Sequence, residues 1–161
     1  MAAPAPTSEV RFTRMTYRAN AMDGFAVVPA VRVDAAAVAA LVAALESSLY
    51  PKTSTLFSQD DLEDEWASLD LEQNTRLIRD GDRVVGYGAV RDRGELWPAE
   101  GYVHPARHGR GLGKLLAIAF ERDAAARSAQ RIQNSVYEVD AAARSLLQLI
   151  GLHPTKRERS R

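Results

Sequence analysis

The sequence of 161 residues contains no cysteine. Structural disulfides, zinc sites built on thiolates and thiol nucleophiles are therefore excluded. The three histidines are His104, His108 and His153, and they do not form a recognisable metal-binding motif. We therefore expect no metal site.

The chain also lacks a long apolar run. No stretch approaches the ~20 consecutive apolar residues that a membrane-spanning helix needs. The N-terminus, MAAPAPTSEVRFTR, has no uninterrupted apolar core of the kind that a secretory signal contains. We expect a soluble cytoplasmic protein without a membrane partner.

The chain has no net charge, because 21 basic side chains balance 21 acidic ones. The two signs are nevertheless unevenly distributed. Residues 60–100 carry twelve acidic and five basic side chains, whereas residues 103–161 carry eleven basic and five acidic ones. A basic half can face phosphates, and an acidic half can face a cationic substrate. The alternative is that both halves are ordinary solvated surface.

Hydrophobic periodicity and turn residues predict one α/β domain with a mixed sheet. We assign residues 1–23 to an irregular arm, 24–154 to the domain and 155–161 to a basic tail. Strands are predicted over residues 25–33, 75–79, 83–90, 95–103 and 132–139. The first is expected to be broken or edge-like at Pro29, and the fourth to be interrupted at Pro98. Helices are predicted over residues 34–50, 58–69, 112–127 and 140–150.

The expected helix caps are Asp34, Ser58 and Asp140, with Asp61 completing a capping box after Ser58. The dipeptide Asp80-Gly81 predicts a tight hairpin turn between the second and third strands.

A glycine-rich cationic loop precedes the third predicted helix, in the stretch HPARHGRGLGKLL over residues 104–116. The first N–H groups of a helix have no helical partner, and glycines let an anion approach them. Arg107, Arg110 and Lys114 add positive charge. A Walker A loop does not fit because Lys114 is followed by Leu115, and the G-x-G-x-G spacing differs from a dinucleotide fingerprint.

The stretch His108-Gly109-Arg110-Gly111-Leu112-Gly113 resembles the acyl-CoA pyrophosphate loop of the Gcn5-related N-acetyltransferase (GNAT) family, [Gln/Arg]-x-x-Gly-x-[Gly/Ala]. Residues 101–105, Gly-Tyr-Val-His-Pro, look like the family's fourth strand before that loop. Residues 140–152 are similar to its Asn-x-x-Ala-x-x-Leu-Tyr-x-x-x-Gly-Phe segment. The resemblance covers residues 31–153.

The resemblance implies a mixed, mostly antiparallel sheet flanked by helices, with a truncated C-terminal strand pair. It also implies an acetyl-CoA-dependent N-acetyltransferase whose acceptor is a small-molecule or peptide amine. The residues that it places at the acetyl-CoA site are Tyr102, Val103, His108, Gly109, Arg110, Gly111, Leu112, Gly113, Lys114 and Asp140.

For catalysis, the resemblance implies a carboxylate near the loop that takes a proton from the amine. Glu100 is our candidate, with Glu95 as second choice, and the alternative for Glu100 is an exposed strand residue. The family's tyrosine that protonates the leaving thiolate is Leu147 here, so Tyr137 becomes the candidate acid. Because Leu147 lacks a phenol, a second interpretation is an acyl-CoA-binding protein with little or no activity and a sensing or scaffold role.

Only eleven residues follow Ile150, which leaves little chain for the family's last two strands. The N-terminal arm or a partner chain can fill that place, and an unpaired sheet edge favours a homodimer. A phosphate- or nucleic-acid-binding module using the basic loop and tail is disfavoured by the near-neutral pI of 6.8.

Overall fold

The computed structural model describes residues 25–52, 56–135, 141 and 144–146. Within these residues, five strands form one sheet in the order β1-β2-β3-β4-β5: β1 (Phe25–Val28), β2 (Thr75–Asp80), β3 (Arg83–Val90), β4 (Leu96–Val103) and β5 (Arg131–Ser135). The described helices are α1 (Ala35–Leu49), α2 (Gln59–Trp66), α3 (Leu71–Asn74) and α4 (Leu112–Ala126).

The sheet is mixed and mostly antiparallel, as predicted. Strands β1 to β4 pair antiparallel, and β5 pairs parallel to β4 from Leu96 to Glu100. A parallel neighbour requires a crossover connection, which α4 provides. In the β3–β4 pair, Tyr87 lies opposite Tyr102.

The predicted hairpin between β2 and β3 is confirmed, with its turn one residue later than the predicted Asp80-Gly81. Asp80 pairs with Arg83, so the two turn residues are Gly81 and Asp82. Gly81 has φ +61, which glycine adopts without steric penalty.

Strand β3 contains a β-bulge. Ile78 and Arg79 of β2 are consecutive, but their partners Gly86 and Val84 are separated by the extra residue Val85. Val85 packs in one hydrophobic cluster, whereas Tyr87, two residues further on, packs in the other. The bulge therefore changes which residues of β3 face each side of the sheet.

These two clusters are the cores on opposite faces of the sheet. Helices α1 and α2 cover one face, and α4 covers the other. The buried residues on the first face are Ala30, Ala35, Val38, Ala39, Leu41, Leu62, Trp66, Leu77, Tyr87 and Ala89. Those of the second cluster are Phe25, Ile78, Val85, Val90, Trp97, Ala99, Leu112, Leu115, Leu116, Phe120, Ala124, Ala129 and Ile132.

Helix α2 begins with the predicted capping box. The Ser58 hydroxyl accepts a hydrogen bond from the Asp61 N–H at 3.1 Å, and the Asp61 carboxylate accepts one from the Ser58 N–H at 2.9 Å. The Ser58 N–H, followed by the Ser58 hydroxyl, lowers the pKa of the Asp61 carboxyl below its ordinary value. Leu62 and Trp66 form the buried side of the helix.

The first strand and the cap of α1 differ from prediction. Strand β1 ends at Val28 rather than residue 33, because Pro29 has no N–H to continue the ladder. Asp34 occupies the N-cap position of α1 without capping it. Its carboxylate instead accepts a hydrogen bond from the Val31 N–H at 2.9 Å and forms an ion pair with Arg79.

Two further elements differ from the sequence prediction. Helix α3 was not predicted; the Asp70 carboxylate caps it by accepting from the Gln73 N–H at 3.2 Å. Strand β4 continues through Pro98, whose carbonyl accepts the Arg91 N–H at 2.9 Å. The arm, the tail, the end of the fifth strand and the proposed truncated strand pair lie outside the described residues.

Arg127, which follows α4, connects three parts of the fold. Its guanidinium lies 4.6 Å from the centre of the Trp97 ring, donates to the Gln73 carbonyl at 3.2 Å and pairs with Asp92 at 3.6 Å.

Among the described helices, none is long and apolar enough to cross a lipid bilayer.

Candidate active site

The glycine-rich loop lies where β4 gives way to α4, as the sequence predicts. After Val103, the His104 N–H donates to the Val85 carbonyl at 2.9 Å, at the bulge of β3. The His104 imidazole Nδ1 accepts the Ala106 N–H at 3.1 Å and caps a 3-10 turn over Pro105–Arg107. The start of the loop is therefore held on the sheet.

Two glycines of the loop have left-handed backbone conformations. Gly109 has φ +78, and Gly111, the N-cap of α4, has φ +79. A Cβ atom at Gly109 would meet nothing within 4 Å, so this side of the loop is open. These glycines allow the turn and leave space beside its backbone.

The N-terminus of α4 presents unused hydrogen-bond donors. The Leu115 N–H makes the first helical bond, to the Gly111 carbonyl at 3.0 Å. In the part of the chain that the structure describes, the preceding N–H groups of Leu112, Gly113 and Lys114 have no acceptor. Such groups, together with the positive end of the helix dipole, form a binding site for an anionic phosphate.

The three basic side chains near the loop differ in their engagement. Arg110 and Lys114 are exposed, and neither has an ion-pair partner within the described ranges. Arg107 instead pairs with Asp80 of the β2–β3 hairpin at 2.7 Å. The expectation that Arg107 adds charge beside the loop is corrected: it fastens the loop to the hairpin.

Three other predicted loop residues have distinct environments. The His108 Nε2 lies 3.0 Å from the Val103 carbonyl, so the imidazole N–H donates back to the end of β4. Leu112 is buried, which leaves only its backbone available to a ligand. At Gly113, a Cβ would lie 2.5 Å from the Leu146 side chain, so this glycine permits close packing as well.

Glu100 is half-buried on β4, on the face covered by α1 and α2. Its Oε2 accepts a hydrogen bond from the Tyr102 hydroxyl at 2.8 Å. It lies three residues before Val103, about 10 Å along the strand. Glu95 is exposed and precedes β4 at its other end, about 26 Å from Val103. Glu100 is therefore the nearer of the two carboxylates to the loop, and both candidates for the catalytic base remain predictions.

Tyr87 and Trp66, which the sequence analysis did not assign to the site, form an aromatic group with Tyr102 beside Glu100. The Tyr102 and Tyr87 rings stack with centroids 6.1 Å apart and planes 7° apart. The Tyr87 hydroxyl accepts a hydrogen bond from the Trp66 indole N–H at 3.0 Å. Burial raises the pKa of Tyr87 far above its ordinary value, so its phenol remains protonated.

A second carboxylate lies near Glu100. Glu65 of α2 is half-buried, and burial, followed by repulsion from Glu100, raises its pKa above the ordinary value. The sequence analysis did not assign Glu65 to the site. Its proximity to Glu100 depends on how α2 packs on the sheet.

Three residues of the predicted site lie in the part of the chain that the structure does not describe. These are Tyr137, Asp140 and Leu147, and their proposed roles remain predictions.

Within the described ranges, no group of three or more His, Asp or Glu side chains could hold a metal ion.

Comparison with known families gives a match over most of the chain. The family described as "Acetyltransferase (GNAT) family" matches residues 38–152. No curated protein sequence gives a significant match.

Solved structures share this fold. A GCN5-related N-acetyltransferase from Sphaerobacter thermophilus is 26% identical with a TM-score of 0.73; the match covers 80% of this chain but only 43% of that protein. The yncA structure from Salmonella typhimurium, which contains its cofactor acetyl-CoA, is 20% identical with a TM-score of 0.64, covering 80% of this chain and 79% of that one. A ribosomal-protein-alanine N-acetyltransferase from Brucella melitensis is 17% identical with a TM-score of 0.65, covering 84% and 97%.

Proposed function

Because this chain belongs to the GNAT acetyltransferase family, we propose that it transfers an acetyl group from acetyl-CoA to an amine of a small molecule or peptide. The observation that carries the proposal is the open loop with free N–H donors at the start of α4, immediately after the strand that bears Glu100. Acetyl-CoA in the yncA structure supports the choice of donor.

The loop residues are suited to the phosphates of acetyl-CoA. The N–H groups between Gly109 and Lys114 would hold the pyrophosphate, and Arg110 and Lys114 would add countercharge. His108 would act indirectly by holding the loop against Val103. From the family resemblance, we propose that the pantetheine arm runs along the backbone of Tyr102 and Val103, with Asp140 near it.

Glu100 is the proposed general base. An ammonium has no lone pair, so the acceptor must lose a proton before or during attack. Glu100 takes one proton from the ammonium, and the resulting amine nitrogen bonds to the thioester carbonyl carbon. As the carbon–sulfur bond breaks, the nitrogen loses its second proton to water. The departing thiolate then takes a proton, for which Tyr137 is the proposed donor. Acetyl-CoA supplies the activated acyl group.

The charge near Glu100 suits an acceptor that arrives as a cation. Glu65 and Glu100 repel each other in a half-buried setting, and a positively charged amine would relieve that repulsion. These carboxylates favour amine acceptors without selecting between a small molecule and a peptide.

The proposal is tested by Glu100→Gln, with Glu95→Gln as the matched control at the far end of β4. Thiol release is measured with a panel of amines, and acetyl-CoA affinity is measured by calorimetry. We expect Glu100→Gln to lower kcat by about 10²–10⁴-fold with unchanged acetyl-CoA affinity, because a general base contributes about that factor. The control should match the wild type.

Different results contradict different parts of the proposal. A protein that does not bind acetyl-CoA would overturn the assignment of the loop. Binding without turnover of any amine would support the sensing or scaffold alternative. Full activity of Glu100→Gln would place the base elsewhere.

A further inference from the structure

Tyr102 has a side-chain environment that its predicted backbone role does not explain. Its hydroxyl donates to Glu100 at 2.8 Å, and its ring stacks on Tyr87. We propose that Tyr102 is a positioning residue that fixes the carboxylate of Glu100 for proton transfer. This inference rests on the proposed function of Glu100 as the base.

The strand geometry brings the two side chains together. Residues two apart on a β-strand project from the same face, so Glu100 and Tyr102 both face the layer of α1 and α2. A glutamate has several rotatable bonds, and a half-buried carboxylate without a partner would sample several orientations. The Tyr102 hydroxyl selects one of them by binding Oε2.

The Tyr102 ring is itself held in place. Tyr87 lies directly opposite on β3, and the two rings are nearly parallel, with 7° between their planes. Tyr87 is only 1% exposed, and its hydroxyl accepts the Trp66 indole N–H at 3.0 Å. Trp66 is also 1% exposed, at the end of α2. The orientation of the proposed base is thus determined by the packing of α2 on the sheet.

The arrangement leaves the carboxylate able to react. The Tyr102 hydroxyl occupies Oε2, while Oε1 of Glu100 has no hydrogen-bond partner within the part of the chain that the structure describes. One oxygen is therefore held and the other is available to accept the proton of the amine.

The test compares Tyr102→Phe, Glu100→Gln and the double variant. Tyr102→Phe keeps the stacked ring and removes only the hydroxyl. Tyr50→Phe, at the end of α1, is the control for removing a hydroxyl elsewhere. The measurements are kcat, KM for the amine, acetyl-CoA affinity by calorimetry and the melting temperature of each full-length variant.

We expect Tyr102→Phe to lower kcat roughly tenfold, the effect of losing one hydrogen bond to a charged group. Acetyl-CoA affinity and melting temperature should remain close to those of the wild type. The double variant should be no slower than Glu100→Gln, because Tyr102 acts through Glu100. Tyr102→Leu should lower both kcat and the melting temperature, whereas Tyr102→Phe should keep the melting temperature of the wild type.

Three results would overturn the proposal. The first is an unchanged kcat in Tyr102→Phe when Glu100→Gln is impaired. The second is a double variant whose loss of kcat equals the product of the two single losses. Tyr102 would then act independently of Glu100. The third is a reduction of acetyl-CoA affinity equal to the loss in kcat. Full activity of Glu100→Gln would instead show that Glu100 is not the base, whatever the kcat of Tyr102→Phe.

Discussion

Gly111 occupies the position at which the loop enters α4. It has φ +79 and is the last residue before α4, so its backbone sets the direction of the first free N–H groups. A side chain here would meet steric resistance and would project beside the proposed phosphate site.

We expect Gly111→Asp to weaken acetyl-CoA binding by at least ~100-fold, or about 2.7 kcal/mol, because a carboxylate would repel the pyrophosphate. The matched control is Gly94→Asp. Gly94 has φ +74 with nothing within 4 Å of a Cβ, so it takes the same charge and a similar backbone penalty away from the loop. Both variants should lose about 1–2 kcal/mol of stability. Calorimetric affinity that is equal in the two variants would place the pyrophosphate elsewhere.

Glu121 gives the protein a predictable response to pH. Burial on α4 raises its pKa from an ordinary value of 4.5 to about 7. The folded state therefore holds this proton more tightly than the unfolded state. The free energy of unfolding should fall as pH rises from 4.5 to about 7, and this contribution should be constant above that range.

We expect Glu121→Gln to be more stable than the wild type at pH ~8 by about 1–2 kcal/mol, because a neutral side chain avoids the desolvated charge while solvent screens part of its cost. The difference should vanish near pH ~4, where the wild-type carboxyl is protonated in both states. Urea unfolding across this pH range measures it. Glu72→Gln, at an exposed position on α3, is the control and should follow the wild type. If the free energies of unfolding of wild type and Glu121→Gln change with pH in parallel, the raised pKa of Glu121 is contradicted.

The packing of α4 on the sheet depends on a pair of glycines in adjacent strands. Gly88 of β3 lies opposite Gly101 of β4. A Cβ at Gly88 would lie 2.4 Å from the Phe120 ring, whereas one at Gly101 would lie 3.8 Å from Leu116, an ordinary contact. Helix α4 therefore approaches the two strands unequally.

We expect Gly88→Ala to lower the free energy of unfolding by about 1–3 kcal/mol, because Phe120 must leave its position. Gly101→Ala adds the same methyl group without that contact, so it should be neutral or stabilise by up to about 1 kcal/mol. Denaturant unfolding of the two variants tests the difference. Equal destabilisation would show that the methyl group itself, rather than Phe120, is the cause.

Taken together, the loop contacts connect several elements of the domain. Bonds to β3 through His104, to the β2–β3 hairpin through Arg107 and to β4 through His108 hold the loop before any ligand arrives. A ligand that binds this preformed loop should stabilise the entire fold, because binding is linked to folding by mass action.

At about 100 times its Kd, acetyl-CoA should add ~2.7 kcal/mol to the free energy of unfolding. For a chain of this length, that corresponds to a rise in melting temperature of roughly 5–11 °C. Pantetheine, which lacks the phosphates, is the control and should give little change at the same concentration. An equal rise with pantetheine would indicate that the phosphates are not recognised by the loop.

Local sequence was sufficient for most elements and for the loop. Three predicted features depend on residues only a few positions apart, and the structure confirms them: the capping box at Ser58, the hairpin glycine Gly81 and the apolar periodicity of α4. The glycine loop was also readable, because its chemistry resides in consecutive backbone groups. The cap expected at Asp34 failed because a distant cation, Arg79, competes for that carboxylate.

The environment of Glu100 could not be read in the same way. Tyr87 faces α2 because the bulge at Val85 shifts the alternation of β3, and it meets Tyr102 because of the β3–β4 register. A bulge and a register are properties of paired strands, and a single strand's pattern contains neither. The contacts of Trp66 with Tyr87 and of Arg107 with Asp80 likewise join residues more than twenty positions apart. Local propensities therefore identified the loop, whereas long-range packing determined which side chains surround the proposed base.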